Sequence, residues 1–270
     1  MEQVPPSGKG RIVTAFNPEK PNVARIYDAL RDGKDNFGPD REAADKIRTM
    51  AADGQRAAHD NRAFLARVVR WLIREAGISQ FLDVGCGMPA DRNTHEIAHA
   101  LSPRASTAYV DNDPVVLNHA RAVLEDKLTS IALPGDLRRP QEFLLDPELR
   151  AFIDFTRPVA VMLLAVLHFI EDPIARDAVR AVMRETPPGS FLVISHASAD
   201  QATAEEITTI NEIYDSTGTP IWLRTHDEIT ALFGGLEIIE PGVTDINAWR
   251  NPAYQPTRTI GYGGIARKIT

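Results

Sequence analysis

The sequence predicts an α/β fold: a Rossmann-like, doubly wound and mostly parallel sheet that follows a helical N-terminal segment. Three observations support this fold class. Strand-like and helix-like runs alternate from Ile78 onward, which is the pattern of βαβ units. The first strand-like run leads into a glycine-rich turn at Gly85 and Gly87, as in nucleotide-binding sheets. The run 159–167 is apolar throughout, as expected for a parallel strand that helices cover on both faces.

Three helices are predicted before the sheet. In "NVARIYDALRDG" the apolar residues recur at helical spacing, with Asn22 placed to cap the helix and Gly33 to end it. A second, polar helix follows in "DREAADKIRTMAADGQRAAHD", with a break near Gly54. A third, "NRAFLARVVRWLIREAG", opens near Arg62, carries one apolar stripe and ends at Gly77.

This pattern divides the chain into three predicted parts. Residues 1–21 hold four prolines and few apolar residues, a composition typical of a flexible arm. Residues 22–77 form an N-terminal helical cap. Residues 78–270 form the sheet domain that would bind a ligand.

Five strand-like runs begin the sheet domain: "QFLDVG", "STAYVDND", "TSIALPGDL", "RPVAVMLLAVLHFI" and "GSFLVISHA". Helices are predicted between them, at 94–101, in "PVVLNHARAVLEDK", where Pro114 suits a first helical turn, and in "PIARDAVRAVMRET". The last two runs, "GLEIIEPGV" and "YGGIARKI", are joined by a loop with no helical pattern. We therefore expect these two to pair as an antiparallel hairpin at the sheet edge.

Composition and charge exclude several classes of protein. The chain has 30 basic and 37 acidic residues, a net charge of −7, which argues against nucleic acid or an anionic membrane as the main partner. One cysteine among 270 residues excludes an internal disulfide framework and suits a reducing compartment. The N-terminus lacks the apolar core of a signal peptide, no apolar run reaches the length of a membrane span, and the seven histidines show no metal-ligand spacing. We expect a soluble, cytoplasmic protein without a metal.

Acidic residues follow the first three predicted strands and suggest a ligand. Gly85 and Gly87 let a ligand approach the backbone, and Asp111 is placed to accept hydrogen bonds from two vicinal ribose hydroxyls. Asp136 could accept from an exocyclic purine amine, although an acid after Gly135 is often only a turn former. In an open α/β sheet these strand ends line one crevice. The pattern favours a nucleoside with an amino-acid tail.

A nicotinamide or flavin dinucleotide is the alternative ligand, because Gly85, Gly87 and Ala90 satisfy a loose dinucleotide-binding fingerprint. Pro89 removes one backbone N–H that a pyrophosphate would use, and Asp83 places an acid close to the turn. A dinucleotide also gives no particular reason for an acid after the third strand. These features lean away from an NAD(P)-dependent oxidoreductase.

The chain resembles the class I S-adenosylmethionine-dependent methyltransferases, and more narrowly an actinobacterial S-adenosyl methyltransferase family long classed as a domain of unknown function. The resemblance runs from Asn22 onward and rests on these stretches: "NVARIYDAL", "DGKDNFGPDREAA", "NRAFLARVVRWL", "QFLDVGCGMPADRNTHEIA", "YVDNDPVVLNHARAVL", "GDLRRP", "PVAVMLLAVLHFI", "PPGSFLVISHA" and "YGGIARK". It implies a seven-stranded sheet with an antiparallel last strand, S-adenosyl-L-methionine as the cofactor, and methyl transfer as the activity. It does not supply a methyl acceptor.

The resemblance also implies roles for individual residues. The turn would pass under the methionine part of the cofactor, Asp83 would order that turn, and Asp111 would hold the ribose. Asn112 and Asp113 would lie at the adenine edge, and Asp136 with Leu137 would frame the adenine. Ala165 and Val166 would lie against the sulfonium side, and Arg62 would pair with the carboxylate. The predicted cofactor-binding residues are Asp83, Gly85, Cys86, Gly87, Asp111, Asn112, Asp136, Leu137, Ala165 and Arg62.

Two residues are candidates for a catalytic role. His168 follows the fourth strand and faces either an acceptor pocket, where it could act as a base, or the core. Tyr27 belongs to "IYDALRDGKDNFGPDR", which either forms a capped helix end or folds over the cofactor as a lid. We expect a small-molecule acceptor. A non-catalytic S-adenosylmethionine-binding regulator stays open as an alternative, and the sequence predicts no oligomeric state.

Overall fold

A twisted sheet forms the centre of the computed structural model, which describes residues 16–50 and 53–270. Within these residues the strands are β1 (Gln80–Val84), β2 (Ser106–Asp111), β3 (Ser130–Pro134), β4 (Ala160–Leu164), β5 (Phe191–Ala197), β6 (Glu237–Ile238), β7 (Thr244–Asp245) and β8 (Gly261–Arg267). All residues of β1 and β4 are buried, because helices cover both faces of the sheet.

Helices lie before the sheet and between its strands. In the described residues they are α1 (Val23–Leu30), α2 (Gly38–Met50), α3 (Asp53–Arg74), α4 (Thr94–Leu101), α5 (Pro114–Val123), α6 (Pro140–Leu144), α7 (Pro147–Phe152), α8 (Asp172–Glu185), α9 (Ala204–Thr217) and α10 (His226–Ala231). None of these helices combines the length and the apolar character that crossing a membrane requires.

The strand order is β3-β2-β1-β4-β5-β8-β6, with β7 also paired to β8. Strands β1 to β5 pair in parallel, and β8 runs antiparallel to β5, β6 and β7. The predicted fold class is therefore confirmed, and the last two strands pair as expected. Two details differ: β8 lies inside the sheet rather than at its edge, and the two-residue β7 brings the described strands to eight. The order reverses between β1 and β4, which is where an open α/β sheet binds its ligand.

The predicted boundary between the second and third helices is wrong. The second helix ends at Met50, and α3 starts at Asp53 and continues to Arg74. Gly54 therefore lies in the first turn of α3, and Arg62 lies in the middle of this helix rather than near its start. One long helix forms because its apolar stripe begins further upstream than predicted. The stripe runs from Ala58, which packs in the cap, to Phe64 and beyond, where α3 packs on the sheet.

The cap and the sheet have separate apolar clusters. Helices α1, α2 and the start of α3 pack around Ile26, Leu30 and Ile47, together with Ile213 from α9. Asn22 caps α1 as predicted, since its side chain accepts from the N–H groups of Ala24 and Arg25. The later part of α3 packs on the sheet, so the division of the chain at residue 77 stays a prediction. Most of the predicted arm, residues 1–15, lies outside the described residues.

Trp249 belongs to the core. It is fully buried, and its ring centroid lies 5.7 Å from that of Phe64 and 6.2 Å from that of Trp71. The C-terminal loop therefore stabilises the packing of α3 on the sheet, because such aromatic pairs bury large apolar areas.

Candidate active site

The turn after β1 contains two glycines, and their surroundings differ. Both have left-handed backbone angles, with φ of 75° at Gly85 and 65° at Gly87. A Cβ on Gly85 would lie 2.4 Å from Cγ2 of Val166, so packing against the end of β4 demands a glycine there. A Cβ on Gly87 would meet no heavy atom of the described residues within 4 Å. Gly87 therefore borders open space at the carboxyl edge of the sheet.

Asp111, the last residue of β2, holds this turn in place. One carboxylate oxygen accepts from the N–H of Gly87 at 3.0 Å, and the other accepts from the N–H of Asp113 at 2.9 Å. Burial raises the pKa of Asp111 to about 6, although the hydrogen bonds from the amides of Asp113, Gly87 and Asn112 act in the opposite direction. A carboxylate has about four acceptor positions. The thiol of Cys86 also approaches one of the oxygens, at 3.9 Å, a long and weak contact, so Asp111 keeps acceptor capacity for ligand hydroxyls.

Asp83 lies one residue before the end of β1 and is buried beneath the turn. Its carboxylate accepts from the hydroxyl of Thr94, the first residue of α4, at 2.6 Å. Burial raises the pKa of Asp83 to about 6, and the Thr94 hydrogen bond and the charge of Arg62 partly offset that effect. Asp83 therefore ties the end of β1 to the first residue of α4, and its role toward the cofactor stays a prediction.

Arg62 reaches the same loop from the middle of α3. Its guanidinium donates to the backbone carbonyls of Asp91 at 3.2 Å and Arg92 at 3.0 Å. It also lies close enough to Asp83 and Tyr27 to influence the pKa of each. Arg62 therefore adds positive charge near the turn, and its pairing with a ligand carboxylate stays a prediction.

Cys86 is half-buried between the two glycines and packs near Tyr109 and Leu124. Burial raises the pKa of its thiol well above the ordinary value, and the charges of Asp111 and Asp83 act in the same direction. The thiol stays protonated at neutral pH, so Cys86 is a packing residue of the turn and a poor nucleophile.

Asp113 is engaged by α5 and by the cap, and its predicted position at the adenine edge stays a prediction. It caps α5, accepting from the N–H of Val115 at 2.7 Å, and its other oxygen accepts from Nδ2 of Asn22 at 2.6 Å. Both oxygens of the Asp113 carboxylate therefore already accept hydrogen bonds, one from α5 and one from the cap. The neighbouring Asn112 is exposed at the end of β2 and is the polar side chain left available there.

Asp136 is paired with Arg138. Its oxygens accept from the backbone N–H of Arg138 at 2.9 Å and from its guanidinium at 2.7 to 3.1 Å. Burial opposes ionisation, but the hydrogen bonds and charge of Arg138 hold the pKa of Asp136 below its ordinary value. Leu137 is buried in the main core. This geometry is that of a turn former, and a purine amine would have to compete with Arg138. The predicted adenine contact stays a prediction.

Ala165 and Val166 lie beyond the end of β4, opposite the glycine turn. Ala165 has a left-handed φ of 53°, which is costly for a residue with a Cβ. Its N–H donates to both the carbonyl and the hydroxyl oxygen of Ser195, each at 3.0 Å. The end of β4 is thus fixed beside the turn, and its place against the sulfonium side of the cofactor stays a prediction.

The structure favours the core alternative for His168. The residue is 7% exposed, and its Nδ1 accepts from the N–H of Ala197 at 3.3 Å. Burial lowers its pKa well below the ordinary value, and the charges of His196 and Arg224 lower it further. A neutral ring whose lone pair already accepts a hydrogen bond is a poor general base.

The hydroxyl of Tyr27 is also engaged in two hydrogen bonds. It accepts from Nδ2 of Asn61 at 2.9 Å and donates to the carbonyl of Ala58 at 3.2 Å. Burial raises its pKa, although Asn61 acts in the opposite direction. The hydroxyl would have to break a bond to take part in proton transfer, so a catalytic role for Tyr27 stays a prediction.

Sequence reasoning missed the buried acids that organise the cap. Asp28 accepts from the N–H of Asp35 and from Nδ2 of Asn36, both at 2.9 Å. Asp40 is fully buried and accepts from the N–H groups of Asn22 and Phe37, both at 2.9 Å. Asp40 also pairs with Arg25 at 2.7 Å. The signal available in the sequence was one such acid in each of the amphipathic helices α1 and α2. A carboxylate that is buried with its helix needs hydrogen-bond donors around it.

No group of three or more His, Cys, Asp or Glu side chains that could hold a metal ion occurs within residues 16–50 and 53–270. At the carboxyl edge of the sheet, where this fold class has its ligand-binding crevice, the structure brings together glycine backbone, two buried carboxylates and the left-handed end of β4.

Comparisons with known proteins identify relatives of this arrangement. The sequence profile of the S-adenosyl methyltransferase family matches residues 11–269. The crystal structure of a proposed methyltransferase from Thermobifida fusca YX is 38% identical, with a TM-score of 0.86 over 93% of this chain and 96% of that one. A DUF574 family protein from Streptomyces avermitilis MA-4680 is 36% identical, with a TM-score of 0.88 over 93% and 98% of the two chains.

More distant structures share the fold alone. Human N-acetylserotonin methyltransferase, solved in complex with SAM, is 16% identical, with a TM-score of 0.51 over 85% of this chain and 57% of that one. No curated protein matches the chain significantly.

Proposed function

The chain belongs to the S-adenosyl methyltransferase family, and from this premise we propose that it binds S-adenosyl-L-methionine in the crevice described above and methylates a small-molecule acceptor. One observation carries the proposal. The open space at Gly87, the acceptor positions of Asp111 and the end of β4 at Ala165 lie along one edge of the sheet. That edge contains the switch in strand order, where ligands of this fold class bind.

The residues present fit the cofactor. Asp111 would accept from the ribose hydroxyls, and the backbone of the turn would pass along the methionine part, where Gly87 keeps the space clear. Arg62 would attract the carboxylate. The human methyltransferase of the same fold is a complex with SAM, which supports this assignment.

The start of α4 argues against a dinucleotide. In dinucleotide-binding folds the glycine turn leads directly into a helix whose N-terminus holds the pyrophosphate. Here α4 starts only at Thr94. Its capping residue Asn93 donates its backbone N–H to Glu96 at 2.6 Å and accepts from the N–H of Ala90 at 3.0 Å. An anionic ligand would therefore meet a carboxylate at this helix start.

Catalysis in this site would depend mainly on alignment. S-adenosylmethionine supplies an electrophilic methyl group when bound. The chain's own residues then have to hold an acceptor in line with it, an effect that can provide most of a rate enhancement. A general base is needed only where the acceptor must lose a proton. Nδ1 of His168 and the hydroxyl of Tyr27 are both engaged in hydrogen bonds, so we propose no base from these two residues.

A small acceptor fits the position of the cap. Asn22 bonds Asp113 at 2.6 Å, and Asp35 lies 3.8 Å from His119 of α5, an ion pair when that histidine is protonated. These contacts hold the segment 22–37 beside the end of β2, and we propose that it restricts access to the crevice there. The net charge of −7 disfavours nucleic acid as the acceptor, and the single cysteine suits the cytoplasm.

We expect the purified protein to bind S-adenosylmethionine and S-adenosylhomocysteine but not NAD or NADP. The physical reason is that Asp111 and the turn provide a nucleoside site, whereas the start of α4 opposes a pyrophosphate. Calorimetric titration with the four compounds measures this directly. Binding of a nicotinamide cofactor alone would refute the methyltransferase function, and retention of S-adenosylhomocysteine without turnover of any acceptor would favour a regulator.

We also expect the cap to act as a lid on the crevice. Hydrogen exchange at residues 22–40 should slow when S-adenosylhomocysteine is added, because bound cofactor would add contacts beside Asn22 and Asp35. The segment 61–74 of α3, which packs on the sheet, is the internal control and should change less. Equal exchange with and without ligand would leave only the structural account, in which Asp28 and Asp40 organise a capped helix end.

A further inference from the structure

A chain of hydrogen bonds joins the cap to the end of β4. It begins at the N–H of Ala165, which donates to the hydroxyl oxygen of Ser195 on β5 at 3.0 Å. Ser195 donates to Oδ1 of Asn61 on α3 at 2.6 Å. Asn61 donates through Nδ2 to the hydroxyl of Tyr27 on α1 at 2.9 Å, and Tyr27 donates to the carbonyl of Ala58 at 3.2 Å. We call these five residues the cap relay.

One orientation of the Asn61 amide satisfies every group in the cap relay. A hydroxyl has one proton and two acceptor positions, so Ser195 accepts from the Ala165 peptide, which it shares with its own carbonyl, and donates to Oδ1 of Asn61. Nδ2 of Asn61 then faces Tyr27, which accepts this bond and has its own proton free for Ala58. With the amide reversed, Asn61 would donate to Ser195, whose proton would lose its acceptor, and Tyr27 would give up its bond to Ala58.

Burial makes this order costly to disturb. Ser195 is 1% exposed and Asn61 is 8% exposed, so water cannot readily replace a lost partner. Ala165, at the start of the relay, has the left-handed φ of 53° that the surrounding structure must enforce. Tyr27, near the other end, belongs to the apolar cluster of the cap. The relay therefore connects a strained peptide at the carboxyl edge of the sheet to helix α1 of the cap.

We infer that Asn61 is a positioning residue: it sets Tyr27 of the cap and, through Ser195, the Ala165 peptide at the end of β4 as one unit. The inference rests on the proposed function only in taking Ala165 as part of the cofactor-binding wall. Its consequence is that a change in the cap at Tyr27 alters the crevice at Ala165, although the relay links the two only through α3 and β5.

The first test needs no cofactor. In Tyr27→Phe the amide of Ala165 should exchange about five- to tenfold faster with solvent than in the wild type, measured relative to the amide of Val159. The Val159 N–H donates to Ser190 at the opposite end of β5, at 3.1 Å, so this ratio removes any change in global stability. Tyr214→Phe is the matched control, because it removes a phenol from the same apolar cluster outside the relay. An unchanged ratio in Tyr27→Phe, or an equal increase in Tyr214→Phe, overturns the inference.

The second test is a double-mutant cycle on the affinity for S-adenosylhomocysteine. Tyr27→Phe and Ser195→Ala should each lower this affinity by some factor. The factor for the double variant should differ from the product of the two single factors by about threefold or more, because the two residues are coupled. The pair Tyr27→Phe and Ser190→Ala is the control and should multiply. Simple multiplication in both pairs overturns the inference. If the wild type binds no S-adenosylhomocysteine, the proposed function fails, and the exchange measurement still decides the role of Asn61.

Discussion

Replacing Asp111 with alanine is expected to lower the affinity for S-adenosylhomocysteine by about 3 kcal/mol, roughly a hundredfold, because two ribose hydroxyls lose their acceptor at about 1–3 kcal/mol each. The loss also frees the N–H groups of Gly87 and Asp113, which the carboxylate holds. The turn would then be less ordered before binding, which adds to the cost. Calorimetric titration of the variant against the wild type measures the effect.

The fold of this variant should survive. The pKa of Asp111 in the folded protein is about 6, above the value of about 3.9 for an unfolded aspartate, so its charge costs stability above that range. Stability from this group is gained as the pH falls from about 6 toward 4. Asp126→Ala is the matched control, since Asp126 also accepts from backbone N–H groups, but in the loop between α5 and β3. It should lower stability without changing affinity; wild-type affinity in Asp111→Ala would show that Asp111 is not in the site.

Asp111 also determines the direction in which the affinity changes with pH. Affinity should be full well above pH 6 and should fall as the pH drops through about 6, because protonated Asp111 loses an acceptor position and its charge. Asp83 titrates in the same range, so Asp111→Asn should reduce the slope without removing it. Titrations between about pH 5 and pH 8 would check this result.

Substituting the two turn glycines should separate stability from binding. Gly85→Ala is expected to lower the free energy of unfolding by about 2–4 kcal/mol, because left-handed backbone costs about 1–2 kcal/mol and overpacking adds a similar amount. The overpacking follows from the 2.4 Å approach of the new Cβ to Cγ2 of Val166. Chemical denaturation of the variant and the wild type measures this difference.

Gly87→Ala is the matched partner. It has the same kind of backbone strain, about 1–2 kcal/mol, but its Cβ projects into open space among the described residues. We expect a milder loss of stability and an affinity for S-adenosylhomocysteine at least about tenfold lower, since the Cβ occupies the space assigned to the cofactor. Equal stability losses in the two variants would contradict the packing argument, and unchanged binding in Gly87→Ala would place the cofactor elsewhere.

The cap shows where sequence patterns stop being informative. Asn22 was predictable as a cap because capping is local, with donors two and three residues away. The join between the second and third helices was mispredicted at Gly54, because a glycine in the first turn of a helix is tolerated once that helix packs on both the cap and the sheet. Tertiary packing outweighed the local preference.

The sequence by itself determined the alternation of strands and helices, the glycine turn and the acids at the carboxyl ends of β1, β2 and β3. Each of these depends on residues close together in the chain, where periodicity and turn chemistry act. Only the tertiary structure decided what the side chains contact. It bonded Asp136 to Arg138, Asp113 to Asn22 and His168 to the Ala197 amide. Partners such as Asn22 and Asp113, 91 residues apart, meet only when the folded sheet brings separate segments to one edge, and no local pattern encodes that meeting.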